Sequence, residues 1–142
     1  MPRSVATTLV LAFVFGSTLV ARMQAPAPKV PLFDDLGSHR YAITTRVPLA
    51  QRYFDQGMRL YYAFNHAEAI RAFNEAARLD PDCAMCYWGT ALSYGPNINM
   101  PMDSASGVAA YEAIQQAVAR QASAAPGESA LIGALAVRYA KV

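Results

Sequence analysis

Small and aromatic residues recur at fixed spacings in the middle of the chain, and this pattern limits what the chain can fold into. The set consists of Tyr53, Gly57, Leu60, Ala69, Phe73, Ala76 and Pro81. Gly57 and Ala69 are small enough to let two antiparallel helices approach closely, and the rings of Tyr53 and Phe73 fill the seam between them. Pro81 ends the second helix, because proline cannot continue one. The pattern therefore predicts a helical hairpin.

The same spacing recurs about 34 residues later, as a repeat requires. The second copy consists of Tyr87, Ala91, Tyr94, Ala110, Ile114 and Ala117. It is longer than the first copy because an inserted loop, residues 95–107, separates its two helices. Leu131, Leu135 and Tyr139 lie at helical spacing and predict the first helix of a third copy over residues 129–139.

Hairpins at this period are typical of tetratricopeptide repeats, and no stretch has the alternation expected of a β-strand. Residues 49–142 are therefore predicted to form an all-α, tetratricopeptide-type solenoid of antiparallel helix hairpins with about two and a half repeats. The last predicted helix is apolar and has no polar cap, whereas terminal repeats normally carry one. This indicates the N-terminal part of a longer solenoid. Self-association through the uncapped C-terminal helix is the alternative.

The first 25 residues are predicted to be a signal peptide. Arg3 precedes an apolar run from Val5 to Val20, which is typical of a secretory leader. An uncleaved N-terminal membrane anchor is the alternative, because the run is close to the length that spans a bilayer. Residues 26–48 are rich in proline and are interpreted as an extended tether that leads into the repeats. The protein is thus expected to be exported, periplasmic or extracellular, and to contact a membrane only if the leader stays attached.

Charge and motif content exclude several functions. The formal net charge is only +2, without a basic stripe, so nucleic acid is not an expected partner. The carboxylates are scattered at spacings typical of solvated helix faces; they are Asp34, Asp35, Asp55, Glu68, Glu75, Asp80 and Glu112. There is no glycine-rich phosphate loop and no Gly-x-Ser-x-Gly turn. We therefore expect no catalytic residues and no catalysis.

Cys83 and Cys86 are the only cysteines, and they lie in the first turn of the helix after Pro81. In an exported chain this pair favours a structural role, either as an ordinary disulfide or as inert packed cysteines. Redox exchange is an alternative, since a helix N-terminus lowers the pKa of a thiol, but the strand that a thioredoxin-like motif requires is missing. Metal or haem contact is the third interpretation. Tyr87 follows the pair where covalent haem attachment needs His, and a closed zinc site needs four ligands.

His66 begins the second helix, at the same end of the array as the inserted loop. It is therefore predicted to face Asn97, Asn99, Met100 or Met102, and His with Met would suit copper. The alternative is structural: the asparagines bond loop backbone and His66 packs at a helix start. No metal or other cofactor is the main expectation, with copper or haem as the alternative.

A concave groove lined by the first helix of each hairpin is the predicted binding surface for a protein or peptide. The residues expected to contact such a partner are Arg59, Tyr62, His66, Thr90, Ser93, Asn97 and Asn99. This favours a scaffold for protein interaction or assembly. The alternative is a redox or metal-binding protein that uses Cys83 and Cys86, with His66, Met100 and Met102.

Four stretches resemble one group of exported bacterial tetratricopeptide proteins beyond the generic repeat pattern. They are Ala-Gln-Arg-Tyr-Phe-Asp-Gln-Gly at 50–57, Ala-Phe-Asn-His-Ala-Glu-Ala at 63–69, Asp-Pro-Asp-Cys-Ala-Met-Cys-Tyr-Trp-Gly at 80–89 and Gly-Pro-Asn-Ile-Asn at 95–99. The resemblance implies an extracytoplasmic helical-repeat protein of unestablished role, and a longer full-length chain. It also implies a role beyond generic stacking for His66, Asn97 and Asn99, and it supplies no catalytic residues.

Overall fold

The computed structural model describes residues 29–141, which contain five α-helices. They are α1 (Pro48–Tyr62), α2 (His66–Leu79), α3 (Ala84–Tyr94), α4 (Ser104–Ala119) and α5 (Pro126–Ala136). A short 3-10 turn, Gln121–Ser123, links the last two. These residues include no β-strand, only an isolated bridge between Asn97 and Met100. The all-α prediction is confirmed. The predicted leader, residues 1–25, lies outside the described residues.

Phe73 lies where α1, α2 and α3 meet. Its ring is fully buried, and a Cβ atom placed on Gly57 of α1 would lie 2.6 Å from Phe73 Cε1. A Cβ atom on Gly89 of α3 would lie 2.5 Å from the same atom. The ring is thus held between two helices that come close because both present a glycine. The centroid of the Phe54 ring, on α1, is 5.3 Å from that of Phe73.

Each helix packs on the next one along the chain, and α1 also contacts α3, as α3 does α5. The equivalent core positions in the second helix of each predicted copy have no solvent exposure. They are Ala69, Phe73 and Ala76 on α2 and Ala110, Ile114 and Ala117 on α4. On α5, Ile132 and Leu135 are buried, and the Trp88 indole N–H donates to the Leu131 carbonyl oxygen at 3.2 Å. The buried core therefore runs through all five helices.

The predicted bounds of the last two helices were wrong. α5 begins at Pro126, one turn before the predicted start, because Glu128 Oε2 accepts a hydrogen bond from the Ala125 N–H at 2.9 Å. Leu131 is then 38% exposed, and its neighbour Ile132 takes the buried position. α4 begins at Ser104, because Asp103 caps it, so the inserted loop is shorter than predicted and spans 95–103.

Residues 29–47 form an extended segment that we call the strap. It runs out and back along α1, with the reversal near Gly37, whose φ of +79° favours glycine. Side chains of α1, α2 and α5 bond its backbone, so from residue 29 onward the predicted tether is packed against the helices. Within 29–141, none of the helices has both the length and the apolar character needed to span a bilayer.

Gly57 touches the Phe73 ring and Gly133 touches nothing closely, so substitutions at these two glycines should have opposite effects on stability. Gly57→Ala should lower the free energy of unfolding by about 1–3 kcal/mol, because the added methyl group overlaps the ring. Gly133→Ala, in α5 with its nearest neighbour atom at 3.9 Å, should raise it by about 0.5–1 kcal/mol through helix propensity. Urea denaturation measures both. Equal effects at the two positions would contradict the described packing.

Candidate functional site

Five helix termini share one end of the array, which we call the loop end. The α1–α2 turn and the 95–103 loop lie here, because successive helices run in opposite directions. Tyr139, after α5, connects them: its hydroxyl donates to the Ala91 carbonyl oxygen at 3.0 Å, in the last turn of α3. Burial raises the pKa of Tyr139, and the nearby Tyr61 of α1 adds to the shift. The loop end thus brings together segments that are far apart in sequence.

The most exposed large apolar side chains of residues 29–141 all lie at the loop end. They are Ile98 (89% exposed), Val137 (88%), Tyr62 (66%), Met100 (63%) and Phe64 (56%). Met102 in the same loop is also exposed. We call these six residues the apolar end surface. Large exposed apolar groups at one end of a protein make that end a candidate interaction site.

Phe64 is the one described non-glycine residue with a positive φ, at +60°. It follows the C-cap of α1, a position where left-handed backbone favours glycine or asparagine. A phenylalanine there strains the backbone and exposes an aromatic ring to water, and such strain is concentrated at functional sites.

His66 lies beside this turn, with its ring edge-on to those of Tyr61 and Phe64 at centroid distances of 5.2 and 6.1 Å. Both ring nitrogens are shielded from solvent, and neither makes a hydrogen bond. His66 begins α2 as predicted, but its ring nitrogens do not bond the 95–103 loop.

Asn97 of that loop bonds loop backbone, as the structural alternative describes. Asn97 Oδ1 accepts hydrogen bonds from the backbone N–H groups of Asn99 (2.9 Å) and Met100 (3.1 Å). Asn99, Met100 and Met102 are exposed. The structure thus holds the loop backbone through Asn97 and turns both methionines outward.

The other four of the seven residues predicted to contact a partner divide into two pairs. Tyr62 is exposed next to the His39 ring, and Arg59 Nε donates to the His39 carbonyl oxygen at 2.8 Å, so the strap lies against both. Thr90 and Ser93 are only 6% and 5% exposed, which corrects the prediction that they face a partner.

Hydrogen bonds within the array explain this burial. The hydroxyl of Ser93 donates to Gly89, one turn back in α3, at 2.9 Å. That of Thr90 bonds Asn74 of α2 at 3.0 Å, on the floor of an open groove of about 570 Å³. α3 has few free faces, because helices pack on several sides of it.

Cys83 and Cys86 form a disulfide, with the sulfur atoms 2.06 Å apart. Cys83 is the N-cap of α3, and its Sγ accepts a hydrogen bond from the Cys86 N–H. The two residues are 1% and 0% exposed. The predicted disulfide is confirmed, and its burial keeps external thiols away from the sulfur atoms.

Residues 29–141 contain no group of three or more His, Cys, Asp or Glu side chains that could hold a metal ion. A cleft of about 740 Å³ lies at the opposite end of the array, between the strap and the segment that links α4 to α5. Three of its polar side chains already have partners: Asp80 accepts from Thr45, Glu128 from the Thr44 N–H, and Arg120 bonds Pro81 and stacks on Tyr87.

Sequence reasoning missed a row of buried polar side chains that hold the strap. They are Gln51, Asp55 and Gln56 on α1, Glu75 on α2 and Glu128 on α5, all less than 9% exposed. Asp55 and Glu75 were expected on solvated faces, and that expectation was wrong. The extended strap covers them, and its backbone N–H groups donate the hydrogen bonds that they accept.

No family model, curated protein or solved structure matches the chain. The resemblance to exported tetratricopeptide proteins therefore stays a prediction.

The disulfide has a testable structural contribution. Cys83→Ser with Cys86→Ala should lower the free energy of unfolding by about 2 kcal/mol, as expected for the loss of a cross-link closing a very short loop. Serine at 83 keeps an acceptor for the helix N-cap, so the change removes the cross-link without removing the cap. Chemical denaturation under non-reducing conditions measures the loss. Unchanged stability would show that the cross-link contributes nothing to the fold.

The hydrogen bonds of Glu75 predict that the stability of the fold falls in acid. The hydrogen bond from Arg78 lowers the pKa of the Glu75 carboxyl below its ordinary 4.5, helped by the Lys29 N–H. A carboxyl whose pKa is lowered in the folded state stabilises the fold fully above its ordinary pKa of 4.5. That contribution is lost as the pH falls from 4.5 through the lower folded-state pKa. The free energy of unfolding should therefore fall below about pH 4.5, and less steeply in Glu75→Gln. Denaturation curves from pH 7 to pH 3 test this, and an identical pH dependence in the variant would contradict it.

Proposed function

We propose that the protein is an extracytoplasmic, tetratricopeptide-type scaffold that binds a protein partner and has no catalysis of its own. The packing order supports the repeat assignment. Helices contact their sequence neighbours, alternate helices α1, α3 and α5 also contact one another, and the equivalent small residues of the two copies are equally buried. The Cys83–Cys86 disulfide supports an oxidising compartment, and so does the leader-like sequence of residues 1–25.

The apolar end surface is the observation that carries the binding proposal. Three separate connections contribute its side chains, so the surface exists only in the folded array. Met100 and Met102 are flexible and polarisable, which suits contact with a partner surface of irregular shape. Tyr62 and Phe64 are aromatic residues of the type that dominates binding energy at interfaces. The proposed partner is therefore a folded protein with an apolar surface.

This surface modifies the predicted location of the partner. Tyr62 and Asn99 belong to it or border it, whereas Thr90 and Ser93 are buried. The redox and metal alternative loses support because the disulfide is buried and the ring nitrogens of His66 are enclosed by aromatic rings. Self-association through α5 stays a prediction, and the exposed Leu131 is the side chain that would carry it.

Site-specific photocrosslinking tests the binding surface. A photoreactive phenylalanine at Ile98 should give a discrete crosslinked species in a periplasmic extract, and one at Gln115, exposed on α4, should not. Tyr62→Ala should remove that species when the crosslinker is at Ile98. The same pattern of products from both crosslinker positions would overturn the proposal.

Phe64→Gly should separate stability from binding. Glycine tolerates a φ of +60°, so the free energy of unfolding should rise by up to about 1 kcal/mol. The crosslink from position 98 should weaken, because the exposed ring is lost. Met58→Leu, a buried substitution on α1, is the control that should leave the crosslink unchanged. A less stable Phe64→Gly protein with an undiminished crosslink would show that the ring is retained for the fold alone.

A further inference from the structure

Two glutamine side chains of α1 each hold a short piece of extended backbone in the strap. Gln56 Nε2 donates to the Pro31 carbonyl oxygen at 3.0 Å, and its Oε1 accepts from the Phe33 N–H at 2.8 Å. Gln51 does the same with Tyr41 and Ile43, both at 2.9 Å. Each carboxamide thus joins the C=O of one residue to the N–H two residues later. This arrangement recognises extended backbone whatever side chains it carries.

The first arm of the strap, residues 29–33, makes further bonds of the same kind. The Tyr53 hydroxyl donates to the Val30 carbonyl oxygen, and Glu75 Oε1 accepts from the Lys29 N–H at 2.7 Å. Tyr53, Gln56 and Glu75 are 1%, 2% and 4% exposed. Three buried polar side chains on two helices therefore converge on one stretch of five residues and bond its backbone, while Glu75 also accepts hydrogen bonds from Arg78.

Side chains of this arm alternate in burial. Val30 and Leu32 pack against the core, while Pro31 and Phe33 are exposed. Beyond this arm the chain reverses near Gly37 and returns along Gln51 and Asp55. Affinity in this arrangement comes from main-chain hydrogen bonds, and selectivity comes from the alternate positions that accept aliphatic side chains.

We propose that Tyr53, Gln56 and Glu75 form a peptide-binding site, which the strap fills in cis and which accepts an extended peptide in trans. The ligand has aliphatic side chains at alternate positions, as Val30 and Leu32 do, and free backbone groups opposite Gln56. This site is separate from the apolar end surface, so its failure leaves the crosslinking result untouched.

The full chain with a protease site inserted after Gly37 tests the proposal. Gly37 is exposed in a loop between the two arms, which is the kind of position that tolerates an insertion. After cleavage, the N-terminal fragment should co-elute with the helices and exchange with an excess of labelled peptide of residues 29–37. Fluorescence anisotropy measures that exchange. Loss of the fragment on cleavage, with no binding of the peptide, would overturn the proposal.

Changes in the peptide probe the site without altering the fold of the protein. N-methylation at Phe33 removes the N–H that Gln56 accepts and should weaken binding about tenfold. N-methylation at Asp35, beyond the residues that the side chains hold, is the matched control and should have little effect. In the protein, Gln56→Met keeps the size of the side chain and should weaken binding of the unmodified peptide by a similar factor. Equal affinities for both methylated peptides would contradict recognition through Gln56.

Discussion

The fold depends on one aromatic ring seated between two glycines. Phe73 of α2 contacts the backbone of α1 at Gly57 and that of α3 at Gly89, and neither helix could come as close with a side chain at those positions. Protein interiors are close-packed, so an added methyl group at either glycine would have to move a helix or the ring. The separation of α1 and α3 follows from this contact, and with it the position of the loop end.

The strap supplies hydrogen-bond partners to polar side chains on the face of α1 that it covers. Among the helices of residues 29–141, α1 packs on α2 and α3, and no helix of this part of the chain covers the rest of its surface. That surface carries buried carboxamide and carboxylate groups, and such groups are costly to bury without hydrogen-bond partners. An extended chain offers both N–H and C=O groups, so the strap can satisfy Gln51, Asp55 and Gln56 where an apolar helix could not.

Sequence periodicity predicted the helices and most of their contacts, because small residues at Gly57, Ala69 and Ala76 have few other structural explanations. It missed Gly89, since the repeat pattern aligns Ala91 with Gly57 and gives no reason to examine its neighbour. It misplaced Leu131 by one residue because an alanine-rich helix has little amphipathic contrast. Thr90 and Ser93 looked exposed because hydroxyl groups that bond their own helix cannot be told from solvated ones by spacing. The strap contacts join residues such as Lys29 and Glu75 that are distant in sequence and individually typical of a surface.

The contacts of the Phe73 ring in solution test the account most directly. Nuclear Overhauser measurements on the folded protein should show cross-peaks from the Phe73 ring protons to the α-protons of both Gly57 and Gly89. Cross-peaks to both glycines would place α1 and α3 on the two sides of one ring. Cross-peaks to only one of them, or to neither, would contradict the packing on which the loop end and the peptide-binding site both depend.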